Sequence, residues 1–410
     1  MMLVGAVWMF AAMSVGGGMY WLIVRWRVHR DRSGRPFMRS GIDLHLDSWP
    51  TVSVIIPAHN EEQHAPELLR SLVAQSYPAF LEVIFVLDRC TDASRAALER
   101  EWARHPDASR RGVAFRIIEN ESCPEDWAGK CNAAAVGAAT ATGERLLFTD
   151  ADTLFDPLLV RASVALLEDR GLSLLSALPG VSIRHLFEAT VQPMAAMELM
   201  KLFPIARAND AAHPRPFANG QFMLFTREGY DAIGGHAAVK DDLLEDLAFA
   251  RAVVQVARLR AGLFIADDML HVRIYETYRQ FRHGWRRIFI EAARRRPHKL
   301  QRYAAECVFA GAGVFIAAWL SIGLGVYGLR IGDAPLGWAG IGCGAFALCV
   351  QQATLMHIFA LIGVPRIAAL TCAHGSVAVA GIMWQAARDL VSGKPVRWGG
   401  RDYVLKPVRD

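Results

Sequence analysis

Arg145-Leu146-Leu147-Phe148-Thr149-Asp150-Ala151-Asp152 is the stretch on which the reading of this chain turns. A short apolar run of this kind reads as a buried strand, and it delivers two carboxylates at its carboxyl end. Charges that close repel each other, and a hard divalent cation relieves the repulsion while gripping phosphate oxygens. In an open α/β sheet, ligands bind beyond the carboxyl ends of the strands, where this pair would lie. Taken alone, the tripeptide is explained equally well as a solvated turn with a helix-capping Asp.

The flanking sequence shifts that balance. Val52-Ser53-Val54-Ile55-Ile56-Pro57 is a β-branched run that Pro57 ends. Glu61 to Ala74 carries helical spacing at Leu68, Leu69, Leu72 and Val73, and Glu82 to Leu87 is a second buried strand stopping at Asp88. A polar-faced helix over Ala93 to Arg104, a strand over Ala114 to Ile118 and an Ala-rich helix over Lys130 to Ala141 follow. Continuous apolar strands alternating with helices predict an α/β domain on a mainly parallel, doubly wound sheet.

The polar candidates all fall at strand ends: His59-Asn60-Glu61-Glu62 after the first, Asp88 and Asp92 after the second, Asp150 and Asp152 after the last. Helix capping accounts for Asn60 or Asp92 singly, but less well for the whole set. Farther on, Gly220 and Gln221 occupy a turn before the strand ending at Phe225, and Glu245-Asp246 opens a helix over Leu247 to Val256. Acidic residues there complement the helix dipole. A group-transfer enzyme also needs a carboxylate base separate from its metal pair, and Asp246 suits that role.

The chain has 410 residues, of which 53% are hydrophobic, so more than one structural unit and membrane segments are expected. Leu3 to Val24 is long enough to cross a bilayer, and Arg25, Arg27 and Arg30 follow it. Basic residues on that side place the next domain in the cytoplasm, and the missing basic n-region argues for an uncleaved anchor. Further apolar stretches run from Cys307 to Leu329, Trp338 to Val364 and Ile367 to Ala387. Three full crossings would put the basic tail outside, against the charge rule, unless one segment is re-entrant.

The expected division is an anchor over 1–25, a juxtamembrane linker over 26–49 and the α/β domain over 50–277. A basic interfacial segment over 278–305, membrane segments over 306–387 and a basic tail over 388–410 complete it. Arg279, Arg282, Arg286, Arg287, Arg294, Arg295, Arg296, Lys299 and Arg302 crowd the interfacial segment. No nucleic-acid motif accompanies them, so anionic lipid headgroups are the better partners. The seven cysteines include no CxxC spacing, which argues against zinc and redox motifs. Met194, Met197 and Met200 belong to an apolar segment between Leu186 and Ala212, read as core packing or as an interfacial helix guiding a lipid.

Together these residues resemble the family 2 nucleotide-sugar glycosyltransferases with a GT-A (Rossmann-like) fold, in the membrane-anchored branch that modifies ceramides, hopanoids and carotenoids. The blocks that carry the resemblance are Val54 to Glu61, Val86 to Asp92, Gly129 to Ala134, Thr149 to Asp152, and Glu245-Asp246. The resemblance implies one N-terminal and about three C-terminal transmembrane helices around a cytoplasmic catalytic domain in the inner membrane. It implies inverting transfer of a sugar from a nucleotide-sugar donor, with a UDP-sugar as the default, to a lipid hydroxyl. Mg²⁺ or Mn²⁺ is the implied cofactor. Pro57, Asn60, Glu61, Asp88, Lys130 and Asp150 would face the donor, Asp152 the metal, and Asp246 would be the base. Gly220, Gln221, Glu245, Gln280, Arg282 and Trp285 would lie on the acceptor side. His283 replaces the Trp of the family's acceptor-side signature, which weakens a processive polysaccharide synthase reading. Intact Asp88, Asp150, Asp152 and Asp246 weigh against a non-catalytic scaffold.

Overall fold

The computed structural model describes residues 2–31, 36–180, 183–210, 212–240, 242, 244–266, 268–272, 275–398 and 401–408. Its α/β domain is built on β1 (Val52–Ala58), β2 (Leu81–Asp88), β3 (Val113–Asn120), β4 (Arg145–Phe148), β5 (Thr153–Phe155), β6 (Leu174–Leu178), β7 (Met223–Thr226), β8 (Ala261–Ile265) and β9 (Leu270–Val272). Among the described residues the central sheet runs β3-β2-β1-β4-β7-β6-β8, while β5 and β9 form a separate antiparallel ribbon. Neighbouring strands are parallel except at β7, which runs antiparallel to both β4 and β6. The mainly parallel expectation therefore holds. Strand order reverses between β1 and β4, which makes their junction the switch-point crevice of an open sheet.

Alternation along the strands sorts the core onto two faces. Val54 and Ile56 pack with Leu68, Leu69 and Leu72 of the helix Ala65–Val73. Ile55 points the other way, to Ala133, Ala134 and Ala138 of the helix Gly129–Thr140. Each fully buried Leu contributes about 1.5–3 kcal/mol relative to exposure. Gly137 sets the second spacing, since a Cβ there would lie 2.5 Å from Ile55 Cγ2.

Proline does not end β1 as expected; the strand continues through Pro57 to Ala58. Ile55 is the last residue of β1 that pairs with β4, and its carbonyl accepts from Thr149 N. Two residues on, Pro57 presents its missing N–H to the same side, where β4 has already ended. No ladder bond is lost, and the crevice opens there.

The described part of the segment 26–49 is packed structure. The first helix continues to Asp31, and Met38 is buried in the sheet core. Ile265 N donates to the Pro36 carbonyl, and Gly41 abuts the helix Leu159–Asp169, where a Cβ would sit 2.2 Å from the Ala162 carbonyl. The segment fixes the anchor to the β8 edge of the sheet.

Among the described residues four helices are long and apolar enough to cross a membrane: Val4–Arg30, Pro297–Arg330, Ala334–Leu361 and Arg366–Val391. The first three pack together. Trp21 Nε1 donates to the Ala310 carbonyl at 3.0 Å, and Gly340 and Gly344 let the second and third helices meet backbone to backbone. The last helix behaves differently. Near its start, a Cβ on Gly375 would lie 2.4 Å from the Thr190 carbonyl. Near its end, Asp389 pairs with Arg286 at 2.5 Å, and Val408 N of the tail donates to the Arg295 carbonyl at 2.9 Å. Both ends of this helix therefore contact elements outside the three-helix bundle, and the described part of the tail lies beside the interfacial helices. Met194 is buried against Gly375, so it packs the domain onto this helix, while Leu186 is 80% exposed.

Candidate active site

β4 stops at Phe148 and the chain turns at once. Thr149 Oγ1 donates to the Gln221 carbonyl at 2.7 Å and meets Thr153 Oγ1 at 2.9 Å, and Thr153 donates to the Asp150 carbonyl at 2.8 Å. These hydroxyls hold the turn, so the carboxylates of Asp150 and Asp152 are free to point elsewhere. Lys130, in the first turn of its helix, places Nζ 2.7 Å from Asp150 Oδ1 and 2.5 Å from Glu245 Oε1. It is a half-buried bridge rather than an exposed lysine.

Asp246 lies next to that bridge without joining it. Its Oδ2 accepts from Gly220 N at 2.9 Å and its Oδ1 from Leu247 N at 2.6 Å. Gly220 sits among the charges: a Cβ there would be 3.1 Å from Lys130 Nζ, 3.2 Å from Glu245 Oε1 and 3.5 Å from Asp246 Oδ2. A side chain would occupy the space into which these groups converge.

Electrostatics divides the carboxylates into two kinds. Burial works against the Lys130 charge, but Asp150 and Glu245 outweigh it and raise its pKa. Burial also works against ionised Glu245, and Lys130 reverses this and lowers its pKa. Asp246 lacks such a partner, so burial and the Glu245 charge push it up to about 6. Burial, with Asp150 and Glu61 nearby, pushes Asp152 up to about 8.

Asp152 Oδ1 is buried with no hydrogen-bond partner, and an orphaned buried acceptor is costly. This oxygen fits a divalent cation. Among the described residues no three His, Cys, Asp or Glu side chains converge as a complete metal site. An ion here would take its remaining ligands from phosphate oxygens and water, as Mg²⁺ commonly does.

The donor-side candidates gather where β1 and β2 end. Asp88 is buried and accepts from Arg89 Nη2 at 2.6 Å and Asn120 Nδ2 at 2.9 Å. Gly129 brings the Lys130 helix against it; a Cβ there would be 3.2 Å from Asp88 Oδ2. Asn60 and Arg89 adopt left-handed backbone, at φ 58° and 50°, a strain that clusters at functional sites. Asn60 Oδ1 accepts from Thr91 N at 2.8 Å, and Glu61 approaches His64 Nδ1 at 3.1 Å. Asp92 Oδ1 accepts from Ser94 N at 3.0 Å and Ser94 Oγ at 2.6 Å, just before the helix that starts at Ser94.

On the acceptor side, three candidates are engaged elsewhere. Gln280 Oε1 accepts from Glu276 N and Thr277 N, and Thr277 Oγ1 accepts from Gln280 N, a capping box that starts the helix Tyr278–Ala292. Arg282 Nη2 donates to Gln385 Oε1 of the last apolar helix at 2.5 Å. Trp285 is buried between Phe281 and Phe289. Gly284 and Arg287, one turn apart on that helix, are the positions that approach the cluster. Gly284 abuts Tyr275, whose hydroxyl feels the Asp152 charge, and Arg287 helps to keep Glu245 ionised. Sequence reasoning gave no site role to Thr149, Tyr275 or Arg287, because nothing along the chain shows which groups they approach.

With this geometry in place, comparison with known proteins supplies the family. The model described as glycosyl transferase family 21 matches residues 6–332. The chain belongs to glycosyl transferase family 21. The five motif blocks thus led to a membrane-associated glycosyltransferase, as the resemblance implied, and the matching family is numbered 21. This family 21 chain is similar to 4,4'-diaponeurosporenoate glycosyltransferase of Staphylococcus aureus (strain MRSA252), 25% identical over 240 residues, covering 57% of this chain and 59% of that protein. The protein of the same description from Staphylococcus haemolyticus (strain JCSC1435) is 23% identical over 284 residues, covering 67% of this chain and 71% of its own. The match thus spans about three-fifths of the first relative's length. Among solved structures it is similar to a mannosyltransferase from Pyrobaculum calidifontis in complex with GDP-Man and Mn2+, at 21% identity and a TM-score of 0.49, covering 96% of this chain and 99% of the other.

Proposed function

We propose that this protein transfers a sugar from a nucleotide-sugar donor to the hydroxyl of a lipid acceptor, with inversion, at the cytoplasmic face of the cell membrane. The observation that carries the reading is that the cluster around Lys130 holds an unpartnered buried carboxylate oxygen on Asp152 and, outside the Lys130 ion pairs, Asp246 with its pKa raised to about 6. Nucleotide-sugar chemistry needs both, because charge grows on the leaving diphosphate while a proton leaves the acceptor.

Asp152, with Asp150, would hold Mg²⁺ or Mn²⁺, which when bound stabilises negative charge on the departing nucleoside diphosphate. Lys130 adds a cation held in place by its ion pairs with Asp150 and Glu245. Asp246 accepts the acceptor hydroxyl's proton as that oxygen bonds to the anomeric carbon. The bond from this carbon to the diphosphate oxygen breaks, and its electron pair leaves with the nucleoside diphosphate. Asp88 and its neighbours at the ends of β1 and β2 receive the nucleoside, and UDP is the default carrier.

A lipid acceptor is supported by the names of the relatives and by the apolar surface of the chain. The helix Tyr278–Ala292 carries Arg287, whose charge acts on Glu245, and is bonded through Arg282 to the last apolar helix. An apolar groove of about 550 Å³ between that last helix and Pro297–Val308, walled by Phe309 and Trp384, suits an acyl or isoprenoid chain. The test is to incubate membranes carrying the protein with a panel of labelled nucleotide sugars and Mn²⁺, then analyse the lipid extract. Labelled lipid that disappears in Asp246→Asn supports the reading. Label only in long carbohydrate polymer would instead indicate a processive synthase, and no donor binding by calorimetry would indicate a scaffold.

A further inference from the structure

Behind the helix Glu245–Arg251 lies a second cavity, of about 290 Å³. Its lining includes four cations, Arg215, Arg251, Arg294 and Lys299, with Phe203 and Tyr303 among its apolar surfaces. Arg251 sits there at an electrostatic cost. Burial and the neighbouring Arg294 charge disfavour its cation, and Asp242, Glu291 and Asp246 only partly compensate. Glu291 is itself bonded to Arg295 at 2.8 Å.

The backbone adds a second cost. Arg294 and Arg295, in the turn between Tyr278–Ala292 and Pro297–Val308, have φ of 57° and 55°, a left-handed pair without glycine. This reversal is what brings Arg294 to the cavity beside Arg251. Crowded cations with too little counter-charge call for an anion, as crowded carboxylates call for a cation.

We propose that this cavity binds the phosphate headgroup of an anionic membrane lipid. A phosphate meets guanidinium groups through paired, charge-assisted hydrogen bonds. Its surroundings favour a lipid over free phosphate. Lys299 and Tyr303 belong to the start of a helix that leads into the membrane bundle, the position at which basic pockets meet headgroups. Val256, next to Gln255 of the cavity wall, is an apolar residue left 80% exposed at the end of a π-helical turn. Phe203 and Tyr303 offer apolar contact to the first carbons of the chains. The cavity lies at the other end of the helix that carries Asp246, and its test reads lipid retention rather than sugar transfer, so it does not depend on the proposed reaction.

The experiment uses the full chain in neutral detergent, titrated with phosphatidylglycerol, phosphatidylcholine or inorganic phosphate. Retained lipid is read by native mass spectrometry and stability by thermal unfolding. Phosphatidylglycerol should be retained and raise the midpoint, and the Arg251→Gln/Arg294→Gln double variant should bind it about tenfold or more weakly. Lys299→Gln, at a partly exposed position, should weaken it about fivefold and serves if the double variant does not fold. Equal retention of phosphatidylcholine, or wild-type affinity in a folded variant, overturns the proposal. A midpoint rise with inorganic phosphate as large as with the lipid would assign the cavity to free phosphate and overturn it as well.

Discussion

The two ends of the crevice are built in different ways. Its donor end comes from the strand ends between Pro57 and Asp152, joined by Lys130 from the first turn of a helix. Its acceptor end is assembled from Gly220, the Glu245–Arg251 helix, the Tyr278–Ala292 helix and, behind these, the last apolar helix. Residues that a strand delivers are placed by local chain direction. Residues on the other side are placed by how separate helices pack, and one turn of rotation exchanges which of them faces the site.

The largest effect that can break this division is at the carboxylates. Asp246→Asn should lower transfer by about 10²–10⁴-fold while donor affinity in calorimetry is retained. Normal transfer would remove the base role. Asp152→Ala should abolish metal-dependent turnover with the fold intact. It also removes the repulsion with Asp150 and an orphaned oxygen, so the ion-free protein should unfold at an unchanged or higher temperature. Near-normal activity in this variant would refute the metal assignment.

A smaller effect concerns pH. The Asp246 pKa is raised above the usual carboxylate value, to about 6, so its neutral form accumulates as pH falls through that value. The rate should therefore be full well above pH 6 and fall about tenfold per unit below it, as for an essential base. A flat profile down to pH 5 would contradict the assignment.

The acceptor helix sharpens the comparison with the smallest changes. Arg287→Gln should lower turnover more than Arg282→Gln, because Arg287 faces Glu245 and Arg282 faces Gln385. The reverse order would restore Arg282 to the acceptor side. Gln280→Ala should act on stability instead, by about 1 kcal/mol in denaturant unfolding, through loss of its capping bonds.

How much of this was legible beforehand follows the same division. The β-branched runs and the acidic residues that close them were read correctly because a strand buried on both faces has an unmistakable composition. The antiparallel β7 was not legible, since its residues look like those of any buried strand. Pro57 was taken to end β1, because a chain read in one dimension does not show that β4 stops opposite Ile55. Residues 26–49 looked like a linker because Met38 and Gly41 carry no periodic pattern, yet their fit against Leu159–Asp169 ties the anchor to the sheet.

By itself, then, the sequence determined the strand-and-helix alternation, the membrane helices and the carboxylates that end the strands, because these depend on neighbours along the chain. Tertiary structure alone decided that Lys130 bridges Asp150 and Glu245, that Gly220 opens the space around it, and that the Asp246 pKa is raised to about 6. It also decided that both ends of the last apolar helix pack against elements outside the three-helix bundle. The physical reason is that charge state, close approach and helix facing depend on groups that are near in space and distant in sequence.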